Sequence, residues 1–203
     1  PFTDNATIAK SCMFDDDTNN FLSRTASSDG SGTKLTLSVW VKRNHLGIAD
    51  ILYSGDVSQN SEHVQFDSSN RLQYYEVTSG SRKWDYVTTR TFEDTSKWYH
   101  IHVIRDTTDS TAGDRIRIYV DGTRITAFDT STQPSENATG YWNQTSYGHY
   151  VGTTGSASYI RGIGYLAEMN MIDGTVYEPS TFGMTDTSTG RWIPKSFSSL
   201  SYG

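Results

Sequence analysis

The sequence predicts an all-β protein, a two-sheet antiparallel sandwich, and three observations carry that prediction. Apolar and polar residues alternate with a period of two in many short segments. Turn-forming residues separate these segments at hairpin spacing. Rings are plentiful, with 13 Tyr, 8 Phe and 5 Trp in a chain that is only 34% hydrophobic. Large rings let few apolar residues fill the thin core between two sheets, and their abundance argues against disorder. A length of 203 residues fits one such domain.

Taken in order, Ser11-Cys-Met-Phe14 opens the chain as an apolar, strand-like stretch. Cys12 is expected there as a buried structural thiol, because a reactive one needs exposure and a lowered pKa. A single cysteine forms no internal disulfide and leaves the redox compartment open. Lys34–Lys42 places Leu35, Leu37, Val39 and Val41 on one face, and Thr36, Ser38, Trp40 and Lys42 on the other. Similar runs occupy 50–54, 62–67, 71–77, 84–88, 98–105, 115–120, 123–129, 147–152 and 159–172. Asp121-Gly122 predicts a tight hairpin with positive φ, and Asp67–Asn70 a second turn. Residues 106–114 read as a polar loop. Residues 130–146 form a longer one that carries Pro134 and interleaves Tyr141 and Trp142 with polar side chains. Pro179–Gly183 predicts one helical turn, with Pro near its start and Gly as its stop. The domain is drawn as 1–183, with 184–203 a strand or tail packed on the same body. Leu37, Val39, Ile101, Val103, Ile116, Ile118 and Val120 are the predicted core.

Charge narrows the function. The net charge is −6, from 17 basic and 23 acidic residues. No basic cluster marks a nucleic-acid footprint. No apolar run approaches the ~18 residues of a membrane span, and no signal peptide opens the chain. The start at Pro1 suggests a processed product or a piece of a longer protein.

Three segments, in order, carry a family resemblance. Leu35–Lys42, then Lys97–Arg105 with Arg115–Gly122, then Gly164–Gly174 with Pro179–Phe182 resemble the strands of concanavalin A-like/laminin G-like jelly rolls. The resemblance implies a jelly-roll sandwich. A narrower one rests on Met13-Phe-Asp15, Phe21–Thr25, Ser38–Arg43, Ala167–Gly174 and Thr189–Lys195, which look like surface proteins of tailed marine bacteriophages. It implies a fibre, knob or decoration outside the particle, in contact with other virion proteins and with copies of itself.

Several constellations bear on chemistry. Hydrolases among these jelly rolls carry paired carboxylates on one strand face, about 5 Å apart in retaining enzymes. The counterpart here, Glu168-Met-Asn-Met-Ile-Asp173, offers Glu168 and then Asn170, expected on one face, and Asn170 cannot ionise; no catalytic residue is assigned. Asp15–Asn20 begins like an EF-hand but lacks its glycine and its final glutamate, so a solvated hairpin turn is expected. Asp106, Asp109 and Asp114 remain open as calcium ligands. His100 and His102 share a face without a third ligand, so no metal is assigned, and no cofactor either. A nucleophile elbow is missing. Asn5, Asn137 and Asn143 match glycosylation sequons as chance does in a Ser/Thr-rich chain.

Rings turned away from the core suggest glycan binding, since sugars pack their C–H faces on rings and hydrogen-bond through their hydroxyls. Two clusters compete. One is the strand-face set Trp40, His102 and Tyr119, with His100, Arg115 and Arg117, unless a second layer covers it. The other is the loop set Tyr141, Trp142, Asn143, Tyr147 and His149, with Tyr150. The loop set is preferred because binding residues concentrate on loops held by a rigid scaffold. The expected function is a non-enzymatic virion surface protein, possible glycan adhesion included. The alternatives are a lectin unconnected with a virus and, last, a glycan hydrolase.

Overall fold

The computed structural model describes residues 8, 10–15, 20–56, 59–154, 162–197 and 200–202. Among the described residues there are fifteen strands: β1 (Cys12–Phe14), β2 (Leu22–Thr25), β3 (Lys34–Lys42), β4 (Ala49–Gly55), β5 (Ser61–Phe66), β6 (Arg71–Thr78), β7 (Ser81–Thr91), β8 (Tyr99–Asp106), β9 (Ile116–Val120), β10 (Thr123–Arg124), β11 (Phe128–Thr132), β12 (Gly148–Val151), β13 (Gly164–Asp173), β14 (Gly183–Thr185) and β15 (Trp192–Pro194). They build two antiparallel sheets, ordered β1-β13-β3-β8-β9-β10 and β11-β7-β6-β5-β4-β12-β2, plus the small hairpin β14-β15.

The alternation that predicted the strands also sets which face is buried. Leu37, Val39, Ile101, Val103, Ile116, Ile118 and Val120 are all at most 3% exposed between the sheets. The facing sheet supplies Val64, Phe66, Leu72, Tyr74, Trp84 and Tyr86. Asp121 (φ 51°) and Gly122 (φ 74°) make the expected left-handed hairpin between β9 and β10. The helical turn shrinks to a 3-10 turn at Pro179–Thr181.

Three expectations are corrected. Cys12 is exposed, because β1 is an edge strand and only Phe14 within it is buried. Asp15–Asn20 does not close a hairpin: β1 pairs with β13 in one sheet, while β2 pairs with β12 in the other. The chain therefore crosses between sheets there, and residues 16–19 lie outside the described residues. The single strand expected at 123–129 is two, β10 and β11, because this stretch also switches sheets. The sequon at Asn5 and residues 159–161 of the expected strand also fall outside the described residues.

Candidate functional site

Residues 133–147 fold over one end of the sandwich, and a buried ion pair anchors them. Glu62 and Arg105 pair at 0% side-chain exposure. The Tyr74 hydroxyl donates to the same carboxylate. The backbone N–H groups of Tyr141 and Trp142 also donate to it, at 2.7 and 3.3 Å. Such a pair is costly to bury unless its remaining polar atoms are satisfied; the loop backbone satisfies those of Glu62, while Arg105 Nε and Nη2 make no hydrogen bond and the guanidinium lies 5.9 Å from the Trp84 and Trp142 rings. A side chain at Gly140 would strike both Arg105 and Glu62, so only glycine lets the chain pass this close.

This anchoring sends adjacent side chains in opposite directions. Tyr141 emerges half-buried at the rim, its ring 4.5 Å from that of half-buried Tyr147. Its hydroxyl bonds Thr78 Oγ1 at 2.7 Å, and Thr78 donates to Glu76 Oε1 at 2.8 Å. Glu76 sits directly across from Glu62 in the sheet and is 2% exposed. Burial, then the Glu62 charge, push its pKa up to about 8, so it keeps its proton at neutral pH.

Trp142 points inward instead. It is fully buried and stacks on Tyr74 at 5.5 Å. Its assignment as an exposed sugar platform is corrected: the ring plugs the end of the core. Trp142→Ala is expected to cost about 3–5 kcal/mol of stability, measured by thermal or denaturant unfolding. His149 is 6% exposed, and its Nε2 accepts the Asn143 N–H at 2.6 Å. Burial lowers its pKa, in keeping with a neutral ring that accepts at this atom. Asn143 adopts φ 58° and donates its side-chain amide to Asp173 at 3.2 Å. Of the loop set, Tyr141 and Tyr147 present rings at the surface, while Trp142, His149 and Asn143 hold the loop in place.

The strand-face set is covered. Trp40, His100, His102 and Tyr119 are 4%, 0%, 0% and 9% exposed, because residues 177–197 lie across the outer face of the six-stranded sheet. Trp192 stacks on His100 and fills space beside Gly122 and Gly183, where any Cβ would meet its indole. Trp192 Nε1 can only donate, so His100 Nδ1 accepts (2.9 Å), and His100 Nε2 donates to Ser38 Oγ (2.9 Å). His102 Nε2 donates to the Tyr177 carbonyl at 2.9 Å. Burial, reinforced by His102, drops the His100 pKa to about 3. Burial, with Arg117 adding to it, drops that of His102 to about 4 against the opposing Tyr177 bond. Glu178 accepts from Arg117 and Tyr119 at 3.0 and 3.2 Å. The covering second layer is the one observed, so Trp40, His102 and Tyr119 are corrected from ligand-facing to interior.

Sequence reasoning missed the outer face of the seven-stranded sheet. There Tyr150, Tyr53, His63 and Tyr75 follow one another across β12, β4, β5 and β6, with successive centroids 5.9, 4.7 and 4.3 Å apart. The Arg82 guanidinium caps Tyr75 at 3.6 Å. Beside this ladder, Gln65 donates to Gln73 (3.0 Å), and Gln73 to Asp85 (2.8 Å). His63 bonds Asp50 at 3.0 Å. The signal was available: His63, Gln65, Gln73 and Tyr75 alternate with the core residues Val64, Phe66, Leu72 and Tyr74.

The carboxylates do not assemble a cleft. Glu168 sits exposed at φ 48° on a bulge between Ala167 and Asn170. The extra residue breaks the expected shared face. The Asn170 amide is taken up by the Glu168 carbonyl (2.9 Å) and the Tyr202 hydroxyl (2.8 Å). Glu62 and Glu76 do face each other across strands, but inside the core. Among the described residues, no three His, Cys, Asp or Glu side chains converge as metal ligands, and no helix is long and apolar enough to cross a membrane.

No curated protein matches the chain. Solved structures share its fold. The mouse laminin α1 chain, domains LG4-5, aligns with a TM-score of 0.58 at 14% identity, covering 98% of this chain and 48% of that one. Domain 4 of AbnA, a GH43 extracellular arabinanase from Geobacillus stearothermophilus in complex with arabinotriose, aligns at 0.58 and 12% identity over 87% and 76%. The enzymatically active domain of tailspike protein 2 from bacteriophage CBA120 aligns at 0.52 and 13% identity over 77% and 24%. The chain thus spans about half of the laminin fragment and about a quarter of the tailspike domain. A laminin G family model, described as the concanavalin A-like lectin/glucanases superfamily, matches residues 15–174. That match takes in both main sheets except β1, together with the loop carrying Tyr141 and Tyr147, and stops just before the covering segment, so the chain belongs to the concanavalin A-like lectin/glucanases superfamily.

Proposed function

We propose that this chain is a non-catalytic glycan-binding domain displayed on the outside of a bacteriophage particle, packed against other virion proteins or copies of itself. The observation that carries the glycan reading is the Tyr141–Tyr147 ring pair, half-exposed on a rigidly anchored loop. Asn60 and Thr78 border it and hold the Tyr141 hydroxyl in place. The arabinotriose complex of the AbnA domain supports sugar binding on this fold. The interior position of Glu62 and Glu76, out of reach of substrate, supports a non-catalytic role. The phage assignment rests on the resemblance of the opening and closing motifs, and a tailspike domain that shares the fold is consistent with it.

A glycan array of bacterial surface polysaccharides tests the first part. Tyr141→Ala and Tyr147→Ala are each expected to weaken binding by about 1–3 kcal/mol. Failure to bind any glycan, or release of reducing ends from one that binds, defeats the reading. Mass spectrometry of purified particles tests the virion assignment, which fails if the chain is absent.

A further inference from the structure

At the open side of the sandwich opposite β1 and β2, the chain passes from β10 to β11 and leaves a pocket of about 280 Å³. Its formation follows from the topology. β10 is only two residues long, Ile125 still bonds back to Ile118 (2.8 Å), and Ala127 already accepts from Thr89 in the other sheet (3.2 Å). A bulge between Phe128 and Thr130 re-aims Phe128, and bulges of this kind recur beside binding sites. Buried Tyr86 and Ile116 line the pocket below the exposed Arg124, Ser131 and Gln133.

One residue of its lining carries a side-chain atom without a partner. The Tyr86 hydroxyl is buried, on a residue 4% exposed, and makes no hydrogen bond. Burial raises its pKa to about 12, against the opposing nearby Arg124 charge, so it stays a neutral donor and acceptor. Leaving such a group unpaired costs about 1–3 kcal/mol, and a polar ligand removes that cost. Arg124 is already neutralised by Asp114 at 2.6 Å, so the pocket does not select for an anion. Ile125 and Phe128 give apolar walls, with Phe128 edge-on to Tyr86 at 5.3 Å, while Ser131 and Gln133 offer hydroxyl and amide at the mouth.

We propose that this pocket binds a single neutral sugar ring, its C–H face against Ile125 and Phe128 and one hydroxyl on Tyr86. The assignment extends the glycan-binding reading to a second site, separate from the Tyr141–Tyr147 pair. The probes are the methyl glycosides of glucose and galactose and free N-acetylglucosamine, titrated to millimolar concentrations against the whole chain with labelled isoleucine methyls. At least one is expected to shift the Ile116 and Ile125 signals saturably. Tyr86→Phe should weaken that binding about tenfold while melting no lower than the parent, since it removes an unpaired hydroxyl. Ser131→Trp, which blocks the mouth from an exposed position, should abolish the shifts. The double variant Tyr141→Ala/Tyr147→Ala should retain them. Silent isoleucine methyls with every probe overturn the pocket, as do shifts indifferent to both Tyr86→Phe and Ser131→Trp. If polysaccharides still bind through Tyr141 and Tyr147 in that case, the proposed function survives while this site does not.

Discussion

The two sheets dispose of their outward faces by opposite means. The six-stranded sheet hides Trp40, His100, His102 and Tyr119 under residues 177–197. The seven-stranded sheet relies largely on its own side chains, setting Tyr53 edge-on to His63, stacking His63 on Tyr75 under Arg82, and chaining Gln65, Gln73 and Asp85 by hydrogen bonds. The first solution fixes ring states through a distant segment; the second distributes the same task over neighbouring strands. The difference teaches that polar and aromatic residues on the outer side of a strand do not identify a ligand surface, because either arrangement consumes them.

Acid should separate the two most strongly. His100 and His102 are held neutral, with pKa values of about 3 and about 4, whereas an unfolded chain protonates them near 6.5. Stability is therefore complete above about pH 6.5 and is lost as pH falls through the window down to 4 and then 3. Each histidine contributes about 1.4 kcal/mol per pH unit there. Denaturant unfolding across this range should show the slope, and His100→Gln should flatten it. An unchanged slope would place the acid sensitivity elsewhere.

A smaller effect comes from the cover itself. Gly183→Val puts a side chain into the Trp192 indole, and overpacking of this kind costs about 1–3 kcal/mol. Its signature is specific: in histidine NMR titrations, His100 should move back toward an ordinary imidazole pKa. If the melting point drops while His100 stays neutral to acid pH, the strap is not what buries it. Smallest is Arg82→Ala on the other sheet, where a cation–π contact at a partly exposed site contributes about 0.5–1 kcal/mol. A loss larger than that of Gly183→Val would invert the comparison.

Much of this architecture was legible in the residues. Lys34–Lys42 alternates so regularly that β3 matches its predicted bounds, and Asp121-Gly122 specified its hairpin through backbone chemistry alone. What the strand period cannot reveal is which distant segment lands on a face. Trp192 meets His100 across 92 residues, and nothing local to either announces it. Parity also misleads where charge goes inside: in β5 and β6, Glu62 and Glu76 face the core while His63 and Tyr75 face out. Trp142 was misread because a loop aromatic between polar neighbours resembles a sugar platform, whereas Glu62 below it turns the backbone so that Tyr141, and not Trp142, reaches the surface.

The strap has a temporal consequence. Chains emerge from the ribosome from the N-terminus onward and fold as segments become available. β3, β8 and β9 can assemble before residues 177–197 exist, and during that interval the rings of Trp40 and Tyr119 and both imidazoles stand open to solvent. Closure is thus the late step of synthesis. A chain interrupted between β13 and Tyr177 would leave the ribosome with an adhesive aromatic face that the finished molecule does not have.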